Sequence, residues 1–421
     1  MIKVLNCKNK NYLKKLSIYL DKRRNNSKSN AKVVRKILKD VKKNKIKALI
    51  KYEFKFSKNK NIKPTIKEIN KSINSLKPKV KKAIDFAYDR IFKFHSKQKF
   101  QNIYYKDNLN NKLEYKYFPI ENVGIYVPAN LPSTLLMNAI PAKIAGVKRI
   151  VLANPRLNGK LNSAVLYAAK KLGIKEIYSI GGAQAIASLA YIQKVNKIVG
   201  PGNIYVAAAK KEVFGEVGIE GMIAGPSEIT VVADRKTDLD QVVTSMLGQA
   251  EHDVNSQCIL ITKDINLIKK FKKKLLYNLN YLPRKKIAKK SLTNNGLIIN
   301  TQTDKQTIDA INEIAPEHLE LNILNYKKFL NKIYNSGSIC IGKFSPMAVS
   351  DYNAGTNHIL PTYGSAKFSS GLNLNEFYKK ISYINLSKKG IEKIGKYATH
   401  LAEYEELKGH ALSIKSRIGR K

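Results

Sequence analysis

Tryptophan is absent, cysteine is scarce and acidic residues are few in this chain of 421 residues. The three cysteines, Cys7, Cys258 and Cys340, lie far apart and form no C-x-x-C pair. That spacing excludes a disulfide framework and a thiolate zinc cluster. Cys258, in an Ile-Leu-Ile context, reads as a buried and inert thiol. No apolar run approaches the roughly 18 residues of a membrane span. The first residues, Met1-Ile-Lys-Val-Leu-Asn-Cys-Lys, lack the apolar core of a signal peptide. The expectation is a cytoplasmic protein with no membrane partner. No G-x-G-x-x-G occurs either, so a dinucleotide, if bound, is not held by that fingerprint.

What is present in excess is lysine. Lys and Arg number 77 against 31 Asp and Glu, for a formal charge of +46. A charge of this size suits nucleic acid or an anionic surface. Only ten of the basic residues are Arg, however, the type favoured for phosphate and base recognition. The lysines are spread among many Asn and Ile, residues that A/T-rich codons specify in any protein. The expectation is therefore no specific nucleic-acid partner, with a basic nucleic-acid-binding protein kept as the rival reading. Hydrophobic content of 43% is ample for globular folding, and the length calls for two or three domains.

Residues 1–28 read as a basic, poorly patterned arm. Ser29 is placed to cap a helix with apolar positions Val33, Val34, Ile37, Leu38 and Val41, and a short helix follows over 48–56. Thr65-Ile-Lys-Glu68 has capping-box spacing, Pro78 opens a long helix, and 104–119 reads as a hairpin. From Val123 the texture changes: strands at 123–128, 150–154, 176–180 and 197–199 alternate with helices at 133–146, 164–172 and 185–191. This alternation predicts a parallel α/β sheet. Gly181-Gly182 and Gly200-Pro-Gly202 follow strands, where ligands approach the backbone of such sheets, and suit a nucleotide or phosphate. A second α/β series starts at Gly225-Pro-Ser-Glu228. The predicted organisation is an arm (1–28), a first α/β lobe (29–224), a similar second lobe (225–362) and a tail of one or two helices (363–421).

Two constellations carry chemistry. Within 245–257, Gln249 and His252 stand three residues apart at helical spacing, so amide oxygen and imidazole share a face and suit a metal. A solvated polar face is the plain alternative. In Ala315-Pro-Glu-His-Leu-Glu320, the neighbours Glu317 and His318 form a candidate acid/base pair, although Glu-His neighbours also occur on ordinary surfaces. Residues 351–358, from Asp351 to His358, read as a polar loop of the kind that carries sites. Glu405 and His410 lie five apart in the tail, while His95 and His400 read as structural.

Taken together, these motifs resemble histidinol dehydrogenases, the last enzymes of histidine biosynthesis. The likeness runs from about residue 30 to 415. It rests on Gly124-Ile-Tyr-Val-Pro, Leu131-Pro-Ser-Thr, Pro141-Ala-Lys-Ile-Ala-Gly, Gly181-Gly-Ala-Gln-Ala-Ile, Gly200-Pro-Gly-Asn, Ala224-Gly-Pro-Ser-Glu, Gln249-Ala-Glu-His, Pro316-Glu-His-Leu, and Asp351-Tyr through Gly355-Thr-Asn-His with Leu360-Pro-Thr-Tyr. The resemblance implies two Rossmann-like lobes of aldehyde-dehydrogenase type. It implies one zinc ion per subunit on Gln249, His252, Asp351 and His410, and NAD contacts from Tyr126, Gln184 and Asn203. Ser227, Glu405, His318 and the zinc ligands would hold L-histidinol, and Glu317 and His318 would be the acid/base pair. It further implies a homodimer with shared active sites, the tail reaching across. The sequence departs from the family pattern at Ala129-Asn130, Asp253-Val254 and Ser350, each where glycine or Gly-Pro is usual. A zinc-dependent hydrolase using Glu317 with metal-bound water is the second rival.

Overall fold

The computed structural model describes residues 2–25, 31–98, 100–220 and 225–418; Ser29 and Ala224 lie outside them. In chain order its strands are β1 (Lys3–Asn6), β2 (Ile103–Lys106), β3 (Lys112–Pro119), β4 (Asn122–Tyr126), β5 (Arg149–Ala153), β6 (Glu176–Tyr178), β7 (Lys197–Val199), β8 (Gly218–Ile219), β9 (Glu228–Ala233), β10 (Gln257–Thr262), β11 (Gly296–Asn300), β12 (His318–Asn322), β13 (Ser338–Ile341) and β14 (Tyr378–Asn385). The chain divides into two compact units, residues 1–97 with 121–376, and residues 98–120 with 377–421.

The larger unit holds two parallel sheets. One has the order β6-β5-β4-β7-β8. Val151, Ala153 and Ile198 of this sheet share a core with Ile186 and Leu189 and with Val34, Leu38 and Leu49. The last three come from the span Ala31–Ser57, which is two helices meeting at the non-helical Lys45 (φ 49°), as the sequence led one to expect. Thr65 and Glu68 make the expected capping box at the start of Ile66–Asn74, and Pro78 opens Pro78–His95. His95 is buried on the latter.

The other sheet has the order β1-β11-β10-β9-β12-β13, again parallel throughout. Its strands β9, β10, β11 and β12 are buried along their whole length, as continuous apolar runs in parallel sheets require. The predicted N-terminal arm is not free. Lys3 to Asn6 pair in register with Leu297 to Asn300, and the helix Tyr12–Asn25 buries Tyr12, Leu16 and Leu20 in a core with Ile311 and Ile314. Their four-residue spacing makes a single helical stripe, obscured in the sequence by the lysines between.

The smaller unit contains an antiparallel sheet, β14-β3-β2, and the helices Lys388–Tyr404 and Lys408–Lys415 packed on each other. The 104–119 hairpin is as expected. The tail holds the one or two helices expected, and the strand β14 precedes them. This strand is exposed on both faces, so it has no inside–outside alternation to announce it. Residues 363–376, assigned to the tail from sequence, belong instead to the larger unit, where Leu372 and Leu374 are buried. Among the described residues no helix is long and apolar enough to cross a membrane.

Candidate active site

The acid/base pair sits at the amino edge of the second sheet. β9 and β12 are parallel neighbours with His318 opposite Ile229, so Glu228 and Glu317-His318 enter the sheet side by side. Ala315, in the left-handed region at φ 48°, and Pro316 turn the chain from the helix Asp304–Ile314 into β12. The Glu317 carboxyl group accepts the Glu228 backbone N–H at 2.7 Å and is 6% exposed. Burial, helped by the nearby Glu228 charge, holds it well above the usual carboxylate range. His318 Nε2 lies 3.6 Å from Asp351 Oδ1 and 3.9 Å from Glu317 Oε1. Its Nδ1 is buried without a hydrogen-bond partner. Burial pushes this imidazole down to about 3, with His358 and His252 acting in the same direction. His318 is therefore neutral at pH 7, with a ring nitrogen open to a proton.

Asp351 was expected in a loop but lies on the short helix Met347–Tyr352. Burial raises its carboxyl group to about 7. Glu320, which carried no signal in the sequence, explains how this helix is held. Its Oε1 accepts the Met347 N–H at 2.7 Å and the Ser245 hydroxyl at 3.0 Å. One buried carboxyl group thus joins β12, the Asp351 helix and the helix Leu239–Ala250 that carries Gln249. Strand alternation could have found it: Leu319 and Leu321 face the core, which places His318 and Glu320 together on the other face. His358 also joins the cluster, its Nδ1 bonded to the Asp351 carbonyl oxygen at 2.5 Å. Lying in the same polar stretch, it could have been added to the candidates from sequence.

Gln249 lies in the last turn of its helix, and His252 stands just beyond the helix end, in the following turn. They meet nonetheless, Gln249 Nε2 being 3.5 Å from His252 Nδ1. Gln249 is 1% exposed, and its Oε1 has no hydrogen-bond partner. A buried amide oxygen left unpaired costs about 1–3 kcal/mol, so this one is placed for a ligand. Oxygen and imidazole nitrogen are an acceptable part of a zinc shell. Among the described residues no group of three or more His, Cys, Asp or Glu stands at metal-holding separation. Ser227 is half-buried at the mouth of β9, its carbonyl oxygen taking the Gln257 N–H at 3.0 Å.

In the first lobe the candidate cofactor residues follow the strands, as parallel sheets favour. Tyr126 ends β4, and its hydroxyl accepts the Gly182 N–H at 3.4 Å. Gly200, at φ +108°, packs so close to Tyr126 that a Cβ would sit 2.1 Å from its carbonyl oxygen. The β4 and β7 loops therefore meet, and only glycine permits it. Asn203 caps the helix Ile204–Val213, accepting from the Tyr205 and Val206 amides at 3.1 Å, which leaves its NH₂ for a ligand. The loop at Gly181-Gly182 is not a free phosphate cradle. Glu53, fully buried, accepts the Gly181 N–H at 3.2 Å and the Gln184 side-chain N–H at 2.9 Å, so an acid already stands at this helix start. Gln184 offers a ligand its carbonyl oxygen. Glu53→Ala is expected to lower stability by about 1–3 kcal/mol, the cost of the orphaned donors, which a denaturant melt checks. Nothing in the sequence around Glu53 pointed to this role.

Glu405 and His410 belong to the smaller unit, at the end of Lys388–Tyr404 and within Lys408–Lys415, and both are exposed.

Two parallel α/β lobes, one with glycine loops at its strand ends and the other with a buried Glu–His pair beside amide, imidazole and carboxyl groups, define an enzyme of the two-lobed α/β class. Residues 20–418 match the family model described as histidinol dehydrogenase. The chain is 60% identical to the histidinol dehydrogenase of Pelagibacter ubique (strain HTCC1062) over the whole of both chains, and 46% identical to histidinol dehydrogenase 1 of Nostoc sp. over 80% of each. Its structure superposes on the crystal structure of histidinol dehydrogenase from Elizabethkingia anophelis with a TM-score of 0.88, at 39% identity, covering 93% of this chain and 92% of the other. The chain belongs to the histidinol dehydrogenase family, oxidoreductases of the final step of histidine biosynthesis.

Proposed function

We propose that the chain oxidises L-histidinol to L-histidine through the aldehyde, using NAD as hydride acceptor and one zinc ion per subunit. The observation that carries this reading is the dry, neutral His318 wedged between Glu317 and Asp351. Taking hydride from an alcohol carbon requires a base for the hydroxyl proton, and His318 has a ring nitrogen free to accept it. The aldehyde must then gain water before the second oxidation. Glu317, held near His318, can as carboxylate take the proton of that water as its oxygen adds to the same carbon. Ser227 and Glu405 hold the substrate. Each oxidation removes two electrons as hydride, so two NAD are consumed, and the chain's share is to position them through Tyr126, Gln184 and Asn203.

Gln249, His252 and Asp351, with His410, would hold the zinc, whose contribution when bound is a borderline-soft anchor for the substrate's imidazole and amine. The unpaired Gln249 oxygen supports this assignment. The apolar surface of the smaller unit supports completion by the tail of a second copy. Tyr397, Leu401, Tyr404 and Leu412 are all more than 60% exposed there, and exposed apolar patches mark association. The reading retained for the +46 charge is composition, without a specific nucleic-acid partner.

The assay is absorbance of NADH on mixing protein, NAD and histidinol, with and without a chelator. Turnover with histidinol, lost on chelation and restored by zinc, is the expected result. His252→Asn is expected to lose zinc and substrate binding together while NAD binding survives; full zinc occupancy with normal turnover in that variant overturns the ligand set. Absence of NADH would favour a zinc-dependent hydrolase.

A further inference from the structure

The helix Tyr12–Asn25 delivers one side chain to the edge of the active site. Arg23, with a side chain 7% exposed, pairs with Glu228, whose side chain is 3% exposed. Its other nitrogens donate to the Pro226 carbonyl oxygen at 2.7 Å and the Asn255 carbonyl oxygen at 3.2 Å. Its guanidinium also lies over the Tyr363 ring, 4.7 Å from the centroid. All three guanidinium nitrogens donate and the plane stacks on a ring, and lysine cannot reproduce that geometry.

The groups that Arg23 holds bracket the site residues. Pro226 and Glu228 flank Ser227 on both sides. The Glu228 N–H is the donor that fixes the Glu317 carboxyl group at 2.7 Å. Asn255 belongs to the turn that leads from His252 into β10. Tyr363 closes the knot from a third direction: its N–H donates to Glu228 Oε1 at 2.9 Å, with its backbone held in the left-handed region at φ 56°. A bulky residue in that conformation persists only where surrounding contacts enforce it. Gly225 packs directly beneath: a Cβ there would lie 2.1 Å from the Tyr363 ring.

We propose that Arg23 is a positioning residue for the reaction, holding the Pro226-Ser227-Glu228 segment so that Ser227 keeps its place at the start of β9 and the Glu317 carboxyl group its place near His318. This rests on the reading of Glu317 and Ser227 as site residues given above. The competing description is a buried ion pair that serves the fold alone. The two differ in what happens when a guanidinium ion is supplied from solution, and in whether Arg23 and Glu317 act through one another.

Arg23→Ala is expected to lower kcat roughly 10- to 100-fold, the scale on which small misplacements of reacting groups act, with the KM for histidinol changing less. Guanidinium at low millimolar concentration, far below denaturing levels, should recover part of that kcat saturably, whereas ammonium should not. The double variant Arg23→Ala/Glu317→Gln should lose clearly less than the product of the two single losses, because residues acting through one group are not additive, with any remaining loss due to Ser227. If Arg23→Ala does not fold, Arg23→Lys carries the same comparison with Glu317→Gln. Wild-type turnover in a folded Arg23 variant, failure of guanidinium to raise kcat, or losses that multiply in the double variant would each overturn the positioning role. Wild-type turnover by Glu317→Gln overturns the acid–base reading itself, and the two failures are thereby told apart.

Discussion

Replacing His318 by asparagine is expected to lower turnover of histidinol roughly 10²- to 10⁴-fold, the usual contribution of a positioned acid/base group. The imidazole is 2% exposed and kept neutral by its surroundings, so removing it takes the proton acceptor out of a site closed to bulk solvent. Asparagine fills part of the volume and keeps a polar edge toward Asp351 and Glu317, but its amide is not a base. The loss should fall on both oxidations, since each releases a proton from an oxygen on the same carbon. Glu317→Gln should differ: supplied with alcohol it should retain more activity than when supplied with aldehyde, because the water-activating step is the one that needs its carboxyl group. Rates of NADH formation from histidinol and from the aldehyde measure both effects, with the melting temperature as the control for folding. A folded His318→Asn enzyme within tenfold of wild type would remove His318 from the chemistry.

How much of this site could be read in advance depended on whether a residue's partners were near in sequence. Gln249 with His252, and Glu317 with His318, are local, and the structure brings each pair together as spacing suggested. The two parallel sheets were legible for the same reason: alternation of strand and helix is a short-range pattern, and β4 to β7 and β9 to β11 fall where it placed them. The failures are long-range. β1 pairs with a strand nearly 300 residues away, and a four-residue edge strand has no periodicity of its own to announce such a partner. Glu53 reaches Gly181 across 128 residues and Arg23 reaches Glu228 across 205. In a chain so rich in charge, one buried Glu or Arg looks like any exposed one. Asp351 was misplaced in a loop because its helix has six residues and is held at its start by Glu320, a tertiary contact, instead of by a local cap.

The reach of the tail gives the second large effect. Glu405 and His410 are exposed on the smaller unit, and the proposed zinc set counts His410 with three residues of the larger one. If a second copy supplies the tail, each active site combines the body of one subunit with the tail of the other, and twofold symmetry makes two such sites. His318→Ala is then defective in the body and His410→Ala in the tail, and each variant alone is inactive. When the two are mixed and allowed to exchange, half the dimers are mixed. In each of these, one site inherits both defects and the other inherits neither. About a quarter of wild-type activity is expected to return, from half the dimers with half their sites intact. A tail that served its own chain would leave one defect in every site, and no activity would return. Exchange itself is measured independently, by the mass of the mixed dimer. Once the mixed species is present, recovery near a quarter places His410 in the partner's site, and a flat baseline places it in its own.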